Sequence, residues 1–338
     1  MRVLVTGGCG FLGSNIVEAL RVRGDEVVVL DNLARPGSER NRDWLVALGG
    51  VEILDADVRD AAAVESAIFG CDGIVHLAGQ VAVTTSVEDP RTDFEINAGG
   101  SVNVLEAARR SPRHPCVLFA STNKVYGGME EVGVVDAGSR YAYASLPCGV
   151  PETFALDFHS PYGCSKGSAD QYVRDYARIY GLPTAVFRMS CLYGPHQFGN
   201  EDQGWVAHFA IQALRGSGVT IFGDGKQVRD VLYVTDVVDL YLRALDRGDR
   251  LSGEVVNVGG GPENTLTLLG LIAMLEEMLG SKIDVSYGDW RPGDQRVYIS
   301  SVAHAEEMFG WRPTTLVEDG VRRLVDWISA QPYLIRPG

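Results

Sequence analysis

The 338-residue chain predicts an α/β fold, a doubly wound parallel sheet with a smaller C-terminal substrate-binding lobe. Three observations carry that expectation. Short apolar runs suited to buried parallel strands alternate with amphipathic stretches up to about residue 190. A glycine-rich turn joins the first run to the first amphipathic stretch. Further on, a tyrosine and a lysine four residues apart open a long helical stretch.

Residues 2–6 (Arg-Val-Leu-Val-Thr) form the first strand-like run. Gly7-Gly8-Cys9-Gly10-Phe11-Leu12-Gly13 follows, and residues 14–23 read as a helix that Gly24 ends. Residues 27–30 are the next buried strand, closed by Asp31 with Asn32 beside it. Glycines at 7, 10 and 13 allow a tight turn, close approach to a pyrophosphate and tight helix–strand packing, which is the Rossmann dinucleotide pattern. The helix N-terminus, with Phe11 and Leu12 in its first turn, then faces the phosphates. Asp31 is placed to accept hydrogen bonds from an adenosine ribose. An acid there repels a 2′-phosphate and no arginine directly follows it, so NAD is expected rather than NADP.

A polar loop around 35–38 leads to a helical stretch near 42–48 and a third strand at 51–54. Asp57 and Val58 follow as an edge for the adenine. A helix at 61–69 precedes the fourth strand, 73–77, which runs into Ala78-Gly79-Gln80. A single long helix at 93–110 contains Asn97, and the fifth strand, 116–120, leads to Ser121-Thr122. The tyrosine–lysine helix spans 162–180 and the sixth strand 183–188. Beyond that the pattern loosens, with helices at 236–244 and 266–279 and a strand at 255–258. The expected division is a dinucleotide domain, 1–188 with return segments at 226–258, and a lobe formed by 189–225 and 259–338. There is no internal repeat, low-complexity tract or Pro/Ser linker.

Composition narrows the partners. The formal net charge of −14 argues against a nucleic-acid backbone or an anionic membrane surface. A small anionic molecule feels local arginines instead. The six cysteines show no C-x-x-C pairing or zinc spacing, so no metal site is expected, and reduced thiols fit a cytoplasmic location. The first strand begins at residue 2 and no apolar run reaches spanning length, so neither a signal peptide nor a membrane anchor is expected.

Tyr162 and Lys166, in Tyr-Gly-Cys-Ser-Lys, lie on one helix face. Ser160 can cap that helix and Pro161 suits its first turn, which puts Tyr162 near the positive N-terminal end. A lysine charge ~6 Å from the phenol is worth roughly 3 kcal/mol at an effective dielectric of ~20. That is about two pKa units, bringing the phenol from ~10 toward ~8. Such a tyrosine exchanges protons near neutral pH, as interconversion of a hydroxyl and a ketone requires.

Thr-Gly-x-x-Gly-x-x-Gly at 6–13, His76-Leu77-Ala78-Gly79, Ser121-Thr122, Tyr162-x-x-x-Lys166 and Arg229-Asp230-Val231 together resemble the extended short-chain dehydrogenase/reductases that act on nucleotide sugars. The likeness runs end to end. The segments 78–86, 121–127, 156–167 and 202–206 look most like the branch that inverts C2 of a CDP-linked paratose or tyvelose, and 156–167 is the most specific of them. The resemblance implies that Tyr162 is base and then acid, that Lys166 holds the nicotinamide ribose, and that Thr122 hydrogen-bonds the reacting oxygen. It implies that Leu77, Ala78, Gly79, Gln80 and Ser121 line NAD. Asn97 either ties its helix to the site or is a polar residue facing a loop. Arg229 and Arg291 occupy positions that clamp a diphosphate in relatives, or else make ordinary surface ion pairs. Phe222 and Trp205 either flank the base or pack in the core. Ser86, Asn123, Lys124, Cys191, Gln203 and Val206 complete the implied substrate contacts. Family members associate, so a dimer or tetramer is expected.

A 4,6-dehydratase of this family needs an acid pair where this chain has Asn123 and Lys124. An amide cannot serve as a carboxyl acid. Relatives commonly carry Asn three residues after the equivalent of Arg188; here it is Cys191, which weakens the analogy to a 4-epimerase. The expected activity is NAD-dependent epimerisation of a nucleotide-diphosphate sugar at C2 through a transient 2-keto sugar. A UDP-sugar 4-epimerase and a non-catalytic NAD-binding regulator are the alternatives.

Overall fold

Seven parallel strands form the central sheet of the computed structural model, which describes residues 1–291 and 294–335. The first half runs β1 (Arg2–Thr6), α1 (Phe11–Arg23), β2 (Glu26–Asp31), α2 (Ser38–Leu48), β3 (Val51–Asp55), α3 (Ala61–Ile68), β4 (Gly73–His76), α4 (Val83–Glu88), α5 (Pro90–Phe94), a π turn (Glu95–Gly99), α6 (Gly100–Arg110) and β5 (Cys116–Thr122). It continues with β6 (Val134–Asp136), β7 (Tyr141–Tyr143), α7 (Ser160–Tyr180), β8 (Thr184–Met189), β9 (Cys191–Tyr193), α8 (Trp205–Arg215), β10 (Val219–Phe222), β11 (Val228–Tyr233), α9 (Val234–Leu245) and β12 (Glu254–Val258). Last come β13 (Thr265–Thr267), α10 (Leu268–Leu279), β14 (Val285–Gly288), β15 (Val297–Tyr298), α11 (Ala303–Phe309), α12 (Val317–Ser329) and α13 (Pro332–Ile335).

The sheet order is β12-β8-β5-β4-β1-β2-β3. Its central strands are buried on both faces, which is why they read as continuous apolar runs rather than alternating ones. One face carries α1, α9 and α11, packed around Ile16, Phe187, Leu240, Tyr241 and Trp311. The other carries α3, α6 and α7, packed around Val64, Val104, Phe119, Ala169 and Val173. A separate apolar cluster around Val206, Phe209, Ile221, Leu271 and Leu324 forms the core of the C-terminal elements. The strand order reverses between β1 and β4, and such a reversal opens a crevice at the strands' carboxyl ends.

Three sequence expectations change. The first helix begins at Phe11, because Gly10 is its N-cap and the glycine turn feeds straight into it. The helix expected over 93–110 is broken: Pro90 starts α5, and the π turn separates it from α6. Such turns widen the helix locally and turn side chains inward, a feature that propensity does not encode. The fifth strand runs two residues beyond expectation, to Thr122, because Ser121 and Thr122 pair with Arg188 and Met189 of β8.

That pairing places a buried ion pair under α7. Arg188 donates to both carboxylate oxygens of Asp170, Nε to Oδ2 at 2.9 Å and Nη2 to Oδ1 at 3.0 Å. Ser121 Oγ adds a third bond to Oδ2 at 2.8 Å. Both charged side chains are essentially inaccessible to solvent. Removing one partner of such a pair leaves the other charge buried and alone. Asp170→Ala is therefore expected to cost about 3–5 kcal/mol, read as a lowered urea midpoint. The double change Asp170→Leu with Arg188→Met is expected to lose far less, and equal losses would contradict this account of the pair.

Candidate active site

The segments that follow β1, β2, β4 and β5 meet in one cleft at the carboxyl edge of the sheet. At Gly7 the backbone is left-handed (φ +70°), and an added Cβ would lie 2.8 Å from the Ala78 amide nitrogen. At Gly13 an added Cβ would lie 2.2 Å from the Gly7 carbonyl oxygen. The turn, α1 and the segment after β4 are thus in backbone contact. No side chain caps α1 at Gly10, which leaves the first-turn amides of Phe11, Leu12 and Gly13 available to an anion.

Asp31 lies at the end of β2 and is buried. Its oxygens each accept one amide, from Cys9 (2.9 Å) and Leu33 (2.9 Å), which fixes the carboxylate and leaves it further lone pairs. Burial raises its pKa, and the two amide bonds oppose that rise. Burial, and next the Asp31 charge, push the Cys9 thiol up to about 12, so this cysteine stays protonated. Asn32 Nδ2 donates to Asp57 Oδ2 (2.9 Å). Asp57 is held down at about 2, first by its hydrogen bond from Arg59. Val58 is buried against Gly100. Leu77 and Ala78 donate their amides to Thr6 Oγ1, both at 3.2 Å. The buried Gln80 Oε1 has no hydrogen-bond partner among the described residues. Open helix amides, a fixed buried acid and an orphaned acceptor beside a glycine cradle fit NAD.

Asn97, within the π turn, ties this cradle to α7. Its Oδ1 accepts from the Gln80 amide (3.0 Å), and its Nδ2 reaches the Gln80 carbonyl (3.1 Å) and Ser165 Oγ (3.0 Å). Ser160 has φ +67°, and its Oγ accepts from the Gly163 amide (3.2 Å), which is the expected cap ahead of Pro161. Tyr162 and Lys166 are both buried on the following turns. The Thr122 hydroxyl hydrogen-bonds the Tyr162 phenol.

The electrostatics differ from the expectation of a phenol near 8. Burial raises the Tyr162 pKa above its ordinary value; Thr122 and then Arg35 oppose the rise, while Asp93 adds to it. Lys166 is itself pushed down to about 7 by burial, with Asp93 and Asp170 opposing. Its ammonium lies over the Phe119 ring, 4.3 Å from the centroid. A dielectric of ~20 applies to a partly wet pair, whereas here desolvation dominates both groups.

Several implied contacts are engaged within the fold. Ser121 Oγ is bound to Asp170 and Ser86 Oγ to the Val83 carbonyl (2.7 Å), so both brace α7 and α4. Ser86 also accepts the Tyr162 amide (3.2 Å). Val206 lies in the apolar core of the C-terminal elements, and Trp205 packs against it. Gln203 accepts from Arg35 and donates to the Val81 carbonyl (2.6 Å), bridging the cleft. Arg291 stacks over Phe222, 4.0 Å from the ring centroid, and pairs with Asp202 at 3.4 Å. Arg229 pairs with Asp294 at 2.5 Å. Beside it Lys124 makes no side-chain hydrogen bond among the described residues; burial and then Arg229 push its pKa down, against Asp294 and Cys191. Asn123 is buried next to Thr122, with Oδ1 3.4 Å from its hydroxyl.

Arg35, Asp93 and Asp294 escaped the sequence reading. Arg35 is exposed as a residue, yet its guanidinium is desolvated between the charges of Asp31 and Tyr162. The i,i+4 spacing of Asp93 and Asn97 is the one local signal that could have flagged the second. Nothing local marks the other two.

A dinucleotide cradle beside a buried tyrosine–lysine pair defines a nicotinamide-dependent enzyme. The chain belongs to the NAD dependent epimerase/dehydratase family, whose model matches residues 3–259. It is 43% identical over 337 residues to the CDP-paratose 2-epimerase of Salmonella typhi, covering 98% of this chain and 100% of that one. The UDP-glucose 4-epimerase of Thermotoga maritima, solved with UDP-glucose, superposes with a TM-score of 0.85 at 34% identity, over 98% of this chain and 100% of that one. The UDP-glucose 4-epimerase of Thermus thermophilus, solved with NAD, gives 0.83 at 36% identity, over 98% and 100%.

Gly13→Ala forces a Cβ into the Gly7 carbonyl and is expected to weaken NAD binding by on the order of 100-fold or more. Titration calorimetry checks this, and unchanged affinity would mean that the turn does not hold the cofactor.

Proposed function

We propose that the chain is an NAD-dependent epimerase of a nucleotide-diphosphate sugar, inverting C2 of a CDP-paratose/CDP-tyvelose type substrate through a transient 2-keto sugar. The observation that carries the reading is the convergence of Thr122, Tyr162 and Lys166 beside the glycine cradle. The choice of carbon is supported by the end-to-end likeness to the Salmonella typhi 2-epimerase.

When bound, NAD supplies reversible hydride acceptance at the carbinol carbon. Thr122 orients the sugar oxygen, Tyr162 takes its proton as the ketone forms, and the same phenol returns it afterwards. Lys166 holds a ribose hydroxyl and stabilises the phenolate in a site from which water is excluded. Lys124 is the cation placed to meet the substrate's diphosphate, with Arg229 and Arg291 following if they exchange their acids for it. A pocket that grips the nucleotide and leaves the sugar loose lets the ketone present its other face. Asn123 and Lys124 provide no carboxyl acid, which speaks against dehydration.

The segments 189–225 and 259–338 would form the substrate lobe over the dinucleotide domain. No described helix is long and apolar enough to cross a membrane. Taken with the reduced cysteines, a cytoplasmic location is our reading. Exposed apolar side chains on α7, Tyr172 and Ile179, support a homo-oligomer. A second reading, inversion at C4 of a UDP-sugar, draws on the likeness to the two solved 4-epimerases. Product NMR on CDP- and UDP-linked sugars separates the two.

Tyr162→Phe is expected to lower turnover by on the order of 10²–10⁴ with NAD still bound. Loss of NAD as well would assign Tyr162 to binding. In deuterated water the product should carry no solvent deuterium at C2, and its incorporation there would exclude a transient ketone formed at that carbon.

A further inference from the structure

One buried carboxylate near the Tyr162–Lys166 pair has no part in the chemistry above. Asp93, in the last turn of α5, is 1% exposed and sits just ahead of the π turn. Its Oδ2 accepts from Ser165 Oγ (2.5 Å) and its Oδ1 from Asn97 Nδ2 (3.1 Å). Ser165 directly precedes Lys166, so the carboxylate abuts the helical turn that presents the lysine. No arginine or lysine hydrogen-bonds Asp93 among the described residues. A carboxylate buried with two neutral donors is costly unless a cation lies close by.

The other charges around the pair are committed. Asp170, four residues beyond Lys166 on α7, is satisfied by Arg188 and Ser121. His76 of β4 is neutral, pushed down to about 3 by burial and then by the Lys166 charge, with its ring nitrogens on Thr6 and Ser101. Arg35 faces Tyr162 from the loop after β2. Asp93 is thus the carboxylate left to balance Lys166.

The geometry points to Asp93 as a positioning residue that keeps Lys166 protonated and, through Ser165 and Asn97, holds the Tyr162–Lys166 turn against the Gln80 segment. The inference rests on the catalytic reading of that pair. It has a signature that a merely structural role lacks. A negative charge raises the pKa of both an ammonium and a phenol, and Asp93 acts in that direction on Lys166 and on Tyr162. Neutralising it must move both midpoints the same way, toward acid, and with them both limbs of the pH–rate profile.

The test is a titration of the resting protein as purified with its NAD. Tyrosinate absorbance of the wild type, less that of Tyr162→Phe, isolates the Tyr162 midpoint, and NMR of labelled lysine gives Lys166. In the Asp93→Asn background both midpoints should fall by about one pH unit or more, and Asp93→Glu should restore them. Midpoints that stay or rise in Asp93→Asn overturn the proposal. Should that variant fail to fold, the wild type suffices: the Asp93 carboxyl signal must shift at the pH where Lys166 titrates, and independence of the two overturns it. These readouts need no substrate, so failure to turn over a nucleotide sugar would count against the proposed reaction and not against Asp93.

Discussion

How α7 lies on the sheet decides everything downstream, and a buried ion pair fixes it. Asp170 is gripped by Arg188 from β8 and by Ser121 from β5, two strands in register with each other. The helix can neither slide nor rotate without exposing a charge to an apolar interior. Arg188 also reaches the Tyr126 hydroxyl (3.2 Å), which donates to Asn257 of β12 (2.7 Å), so the clamp extends to the sheet edge. Lys166 lies one turn before Asp170 and Tyr162 two turns before it. The clamp therefore sets where phenol and ammonium stand relative to Thr122.

A second constraint comes from the opposite side of the cleft. Close packing of the glycine turn against Ala78 brings α1 and the segment after β4 together, and the paired bonds between Asn97 and Gln80 carry that register across to α7. The cofactor cradle and the acid–base pair are thus parts of one hydrogen-bonded frame. The cost of the frame is burial, which raises the phenol and lowers the ammonium. Preorganised charges such as Asp93 and Arg35 matter because desolvation works against both functional groups at once.

Legibility in the sequence followed the range of the interactions. The glycine turn, Asp31 and the Tyr162–Lys166 spacing are local patterns with local mechanisms, and they fell where expected. The central strands were readable because burial on both faces leaves continuous apolar runs. The break in the helix at Glu95–Gly99 was not, since tertiary bonds from Asn97, not propensity, hold the π turn. Ser86, Ser121 and Val206 were implied as ligand contacts, yet each is engaged inside the fold by a partner distant in the chain or by core packing. The direction of the Tyr162 shift failed for the same reason. A spacing on a helix gives the distance between two charges but not the water removed from around them.

The central claim is that one phenol, one hydroxyl and one lysine meet at C2 of a nucleotide-linked sugar. The most direct measurement is a crystal structure of the NAD-bound protein with a CDP-linked paratose. The account predicts the Tyr162 and Thr122 oxygens both about 3 Å from the oxygen on C2. A sugar that presents its C4 oxygen there instead, or a phenol turned away from the sugar altogether, would contradict it.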